Sequence, residues 1–150
     1  MPLLRLLTVA LVCALATAAA DDKPAKLDPK KLLGKWDDIS GVKGGEKADP
    51  DRLKGQFVTV TKDIFKIEGE KPEQTFEFAY TLNADKSPAE IDLEIQFPED
   101  LKGNKARGII ALDGKTLKLC YHPDDVGRPM KFESTAENGF FLWTMKRAGK

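Results

Sequence analysis

Two stretches of this chain alternate strictly between apolar and polar residues. Phe76, Phe78, Tyr80 and Leu82 alternate with Thr75, Glu77, Ala79 and Thr81, and Ile91, Leu93, Ile95 and Phe97 alternate with Glu90, Asp92, Glu94 and Gln96. An extended strand sends successive side chains to opposite faces, so each stretch predicts a strand with one apolar and one polar face. A helix would scatter the same residues around its circumference. Shorter runs rich in β-formers predict further strands at 36–41, 56–62, 64–68, 105–112, 116–122, 130–134 and 140–147. Pro, Gly, Asn and Asp punctuate the gaps at 69–72, 83–88, 98–104, 123–129 and 137–139. Strands broken this regularly predict a sandwich or barrel built from hairpins.

Local signals refine that picture. Asp113-Gly114 tolerates the positive φ angles of a tight type I′ turn, which predicts Leu112 opposite Lys115 and Ile110 opposite Leu117. Ile110, Leu117, Leu119 and Tyr121 then share a face. Residues 49–55 are the best helical segment: Asp49 can cap, Pro50 fits the first helical position, and Gly55 can end it. Residues 30–35 suit one short turn before the first strand. Phe140, Phe141, Leu142, Trp143 and Met145 place apolar groups on both faces of the last strand. One face is expected in the core. Internal packing is also the favoured fate of the other, with a partner or a ligand surface as the alternatives.

The N-terminus changes the compartment. Arg5, the apolar run 6–15 and Ala18-Ala19-Ala20 precede Asp21-Asp22-Lys23, the layout of a cleavable secretory signal. The apolar run is too short for a membrane span, which needs roughly 20 such residues. The expected organisation is a signal peptide at 1–20, a flexible leader at 21–31, one domain at 32–147 and a tail at 148–150. The location is periplasmic or extracellular. Cys13 falls within the signal, and Val12 before it departs from the small residue that lipoprotein processing prefers. Cleavage would leave Cys120 as the one cysteine, so no internal disulfide is expected.

Composition excludes more than it assigns. Cleavage removes one of 24 basic residues, Arg5, leaving 23 against 24 acidic ones, with no basic stripe to suggest nucleic-acid binding. Cys120 and His122 lie two apart on one predicted strand and invite a thiolate–imidazole reading. Strand geometry separates such neighbours by about 7 Å at the backbone, and no orienting group can be named. Catalytic residues are therefore expected to be none. His122, Asp124 and Asp125, or Asp49 and Asp51, make no metal set of the usual kind, so no metal and no cofactor are expected. The row Glu90, Asp92 and Glu94 reads as a solvated strand face. Residues 41–45 are glycine-rich but lack the Lys-Ser/Thr of a phosphate loop and read as a flexible connection.

A series of motifs carries a family resemblance. Leu33-Gly34-Lys35-Trp36 opens the domain, Leu112-Asp113-Gly114-Lys115-Thr116-Leu117-Lys118-Leu119-Cys120 forms a hairpin, and Arg128-Pro129-Met130-Lys131-Phe132 follows. Met145-Lys146-Arg147 ends the last strand. In order and spacing the series resembles a lipocalin-like, functionally uncharacterised domain family abundant in planctomycete bacteria, over about residues 32–147. The resemblance implies an extracytoplasmic antiparallel barrel and brings no activity. The Gly-x-Trp opening is also similar to the first strand of true lipocalins, which implies Trp36 as a barrel plug covered by Arg147, or alternatively Lys146. The chain is shorter than true lipocalins and lacks their disulfide pair, so a barrel filled by its own side chains is the alternative to a deep calyx.

The fold expected is all-β: a single lipocalin-like antiparallel barrel of about eight strands with one short helix. The role expected is non-enzymatic binding by a monomer. A small apolar ligand would meet Phe76, Phe78, Tyr80, Leu93, Ile95, Leu119 and Tyr121. The alternative is a protein-interaction module of the cell envelope with a filled barrel, using Phe140, Leu142 or the loop 123–129. A Cys120/His122 enzyme is the outside alternative.

Overall fold

The computed structural model describes residues 26–149; the expected signal peptide, Cys13 and most of the leader lie outside them. Among the described residues nine antiparallel strands follow one another: β1 (Gly34–Lys43), β2 (Glu46–Lys47), β3 (Phe57–Val60), β4 (Ile64–Glu68), β5 (Phe76–Asn83), β6 (Ala89–Phe97), β7 (Lys105–Asp113), β8 (Thr116–Tyr121) and β9 (Phe141–Arg147). Each of β3 to β9 pairs with its neighbour in sequence, and β9 returns to β1. Eight strands thus close into a barrel, and β2 adds a short flap to the end of β1. Closure removes the exposed sheet edges that would invite aggregation.

Alternation explains the core. Val58, Val60, Phe65, Phe78, Ile91, Leu93, Ile110, Leu117, Leu119 and Met145 point inward and are buried. Polar neighbours such as Asp92 and Lys118 face out. The helical signals also hold. Asp28 and Asp49 each accept a backbone N–H two residues on, capping α1 (Pro29–Leu32) and α2 (Pro50–Leu53). A proline occupies the first turn of each.

The two ends of the barrel differ. At one end the connections are short, and Trp36 closes the interior, fully buried, with its indole donating to Leu32 O at 2.9 Å. The Arg147 guanidinium lies 3.8 Å from the centre of that ring. It also donates to Leu33 O at 2.7 Å and to Lys31 O. The other end carries the longer connections, including α2 and residues 122–140 between β8 and β9.

Four expectations need correction. Residues 130–134 form no strand. Every long strand of the closed barrel already has both partners, so this segment lies across the outside of the sheet instead. There Cys120 Sγ donates to Glu133 O at 3.8 Å and Pro129 is buried. The hairpin register also differs: Leu112 pairs with Leu117 and Asp113 with Thr116. The turn residues are therefore Gly114, at φ +57°, and Lys115. A glycine in the first central position suits a type II′ rather than a type I′ turn. A shift of two residues leaves every side chain on its expected face.

The other two corrections are β-bulges. Glu77 pairs with Phe97 but Phe78 with Ile95, so β6 carries one extra residue and Phe97 leaves the core, 44% exposed. Asp37 pairs with Lys146 but Ser40 with Thr144, so β1 also carries one extra residue. Asp38, at φ +47°, sits in that bulge. An extra residue reverses which side chains face inward. Trp36 faces in below the bulge, and Ile39, Gly41 and Lys43 face in above it. Residues 41–43 therefore belong to the barrel wall, not to a flexible connection.

Candidate functional site

The upper half of the barrel encloses a cavity of about 800 Å³ open at the end opposite Trp36. Its volume falls within the usual range of small-molecule sites, roughly 300–1,000 Å³. One wall is apolar: Phe76 and Phe78 stack with ring centres 6.3 Å apart, and Ile67, Leu93, Ile95 and Ala106 continue the surface. The facing wall is aromatic and polar. Tyr121 meets Phe141 edge to face at 5.9 Å, and Phe141 meets Trp143 at 6.5 Å. The Lys43 ammonium lies 5.4 Å from the Phe141 ring centre and 5.2 Å from that of Trp143. Gln56, Arg52, Lys71, Glu73, Lys105 and Asp124 complete the mouth.

Gly41 shapes this wall. It pairs with Trp143, and a β-carbon there would stand 2.5 Å from the indole ring. The indole therefore lies flat over the glycine and leaves the space above it open.

The ligand residues expected from sequence divide by height. Phe76, Phe78, Leu93, Ile95 and Tyr121 line the cavity. Leu119 lies beneath, where it lines a chamber of about 40 Å³ with Phe65, Trp143 and Met145. Tyr80 does not reach the cavity: its hydroxyl donates to Thr61 O at 2.6 Å and its ring meets Phe65 edge to face at 6.5 Å. Its strand face is the expected one, but it stands nearer the closed end. Burial, with a smaller contribution from Asp63, raises its pKa. Trp36 and Arg147 belong to the closed end, far in sequence from one another but adjacent in register.

Sequence reasoning missed Lys43, Gly41, Gln56, Phe141 and Trp143 as cavity residues. For Phe141 and Trp143 the signal was present in the alternation ending at Met145. For Gly41 and Lys43 it was hidden by the bulge.

The polar groups outside the cavity have structural partners. Cys120 faces outward in a row with Ile109 and Leu142 and is buried beneath residues 129–134. Burial raises its pKa, and the hydrogen bond to Glu133 O offsets this in part. His122 lies past the end of β8, where its Nδ1 accepts from Asp124 N at 3.1 Å and its ring meets Phe140 at 6.0 Å. Thiol and imidazole thus have separate partners and no contact with each other. Among the described residues no cluster of three or more His, Cys, Asp or Glu is placed to hold a metal ion.

The acidic row is not merely solvated. Asp92 accepts from Arg128 at 2.6 Å, and Glu90 lies 3.8 Å from the same side chain. Arg128 also donates to Ile91 O and Gly108 O. Arg107 pairs with Asp125 at 2.9 Å, which holds the Asp125 carboxyl below its ordinary range. These contacts fasten residues 123–140 to the outer sheet.

No protein family, curated protein or solved structure matches the chain. No helix among the described residues is long and apolar enough to cross a membrane.

Proposed function

We propose that this chain is an exported, non-enzymatic binding protein that holds a small apolar ligand inside its barrel. The supporting observation is the cavity of about 800 Å³, closed below and open above, with an apolar wall of Phe76, Phe78, Leu93 and Ile95. Burial of apolar ligand surface there supplies affinity at roughly 25 cal/mol per Å² before the costs of association. The signal-like N-terminus supports export, and the motif series quoted above supports a likeness to the planctomycete lipocalin-like family. An envelope partner docking on a filled barrel is the weaker reading. The interior has room, and Phe140 and Leu142 are half-buried on the outer sheet rather than displayed. Val126 and Met130, 70% and 88% exposed, are the apolar groups that such a partner would meet.

Titration with the neutral dye N-phenyl-1-naphthylamine tests the cavity. The expected result is saturable fluorescence at one dye per chain, weakened severalfold by Ala106→Trp, which puts an indole into the cavity. No saturable signal, or one that Ala106→Trp leaves unchanged, overturns the proposal.

A further inference from the structure

We propose that the ligand carries an anionic headgroup, a carboxylate on a single apolar tail, seated against Lys43, Tyr121 and Trp143. This rests on the reading of the cavity as an apolar-ligand site and adds the polarity of the occupant.

Hydrogen-bond donors on one wall carry the inference. The bulge in β1 turns Lys43 toward the cavity mouth, next to the Phe141 and Trp143 rings. No carboxylate lies within ion-pair distance of Lys43 among the described residues. Its charge is balanced by aromatic faces alone. Phe141 pairs with both Lys43 and Tyr121, so these two side chains project from one row across three adjacent strands.

The Tyr121 hydroxyl makes no hydrogen bond of good geometry to the protein. Burial raises its pKa, and the Trp143 indole beside it offsets this in part. The buried Trp143 Nε1–H faces that hydroxyl oxygen without a hydrogen bond of good geometry. With its oxygen toward the indole, Tyr121 keeps its own hydroxyl proton for the cavity that it lines.

The mouth has the matching field. Of the charged residues around the cavity, Lys43, Arg52, Lys71 and Lys105 are basic, whereas Glu73 and Asp124 are acidic. Lys105 lies 3.8 Å from Glu94 outside the cavity, which leaves Lys43 as the cation best placed over the aromatic wall. The opposite wall, Phe76, Phe78 and Ile95, offers only hydrocarbon to the tail. Lysine is a point charge with three rotatable donors, well suited to one carboxylate oxygen, and a tyrosine hydroxyl can donate to the other.

Displacement of the bound neutral dye by decanoate and by decanol separates the two levels of the argument. The native chain should bind decanoate about tenfold or more tightly than decanol, since a charge-assisted hydrogen bond is roughly twice as strong as a neutral one. Lys43→Met should remove that preference and Tyr121→Phe should reduce it severalfold. Both variants should retain decanol binding, which also reports that they fold. Equal or weaker binding of decanoate in the native chain, or a preference that survives both substitutions, overturns the anionic-head proposal and leaves the apolar cavity standing. Displacement by neither compound overturns both.

Discussion

The closed and open ends of this barrel are built from the same strands by different rules. At the closed end, β1 follows plain alternation and brings Trp36 inward, where Arg147 covers it and α1 packs below. At the open end, β1 has passed through a bulge, and the inward positions are Ile39, Gly41 and Lys43. The first arrangement fills space. The second keeps it: a glycine under an indole leaves volume, and a lysine at the mouth adds charge. One strand thus encodes a plug and part of a binding wall, separated by a single extra residue.

Removing the plug tests the first half of that comparison most severely. Trp36→Ala should destabilise the fold by about 3–5 kcal/mol, the usual cost of truncating a fully buried large aromatic, read as a lower urea midpoint. Dye affinity per folded molecule should change little, because Trp36 lies below the cavity. A large loss of affinity at small cost in stability would mean that the ends are not independent. Arg147→Gln keeps the indole but loses the guanidinium over it and weakens the bonds to Lys31 O and Leu33 O. It should cost about 1–2 kcal/mol.

The wall at the open end is broken by adding volume. Gly41→Val places a side chain where the Trp143 ring now lies. The strand conformation accepts valine, so the strain falls on the indole, which must swing into the cavity. Overpacking of this kind costs about 1–3 kcal/mol. Dye binding should fall at least about tenfold, more than that stability loss would suggest if Gly41 were only a packing position.

The contrast between the ends also governs what was legible. The barrel could be read because Phe76 to Leu82 and Ile91 to Ile95 keep a period of two across their strands, and closure follows once each hairpin pairs with the next. Trp36 and Arg147 could be named by resemblance, and their strand follows ordinary alternation where they pair. The cavity was legible on its apolar side, where Phe76, Phe78, Leu93 and Ile95 belong to the clearest runs. It was illegible on the polar side. A bulge leaves no residue signature as strong as alternation itself, so Gly41 and Lys43 read as a loop and Phe97 read as core. Tyr80 failed for another reason: alternation gives the face of a side chain, not its height along the barrel axis. Residues 130–134 carry β-forming residues, but propensity yields to context when no strand edge is open to receive them.

Residues 123–140 offer a gentler test, since they pass from the open end down the outer sheet. Arg128 fastens them through two carbonyls and Asp92. Arg128→Gln should cost about 1–2 kcal/mol, because the guanidinium bonds to backbone are lost while Asp92 remains solvated. The more specific readout is Cys120, buried beneath this segment. Its reaction with a thiol reagent should accelerate in the variant under native conditions, as the cover opens more often. An unchanged rate would show that other contacts, the buried Pro129 among them, hold the segment without the arginine.

The smallest effect is a pH dependence at the same thiol, and its sign is fixed by burial. Burial raises the Cys120 pKa in the folded chain, whereas an unfolded cysteine titrates near 8.5. Below that value both states hold the proton, and the group adds no pH dependence. Between the unfolded and folded values the folded chain keeps a proton that the unfolded chain has released, so stability falls as pH rises. Urea midpoints taken from about pH 8 to 9.5, below the tyrosine range, should therefore decline in the native chain. Cys120→Ala should flatten that decline without changing dye affinity, since the side chain faces away from the cavity. A slope that persists in Cys120→Ala would place the responsible group elsewhere. A slope accompanied by lost dye binding would instead couple the outer cover to the open end.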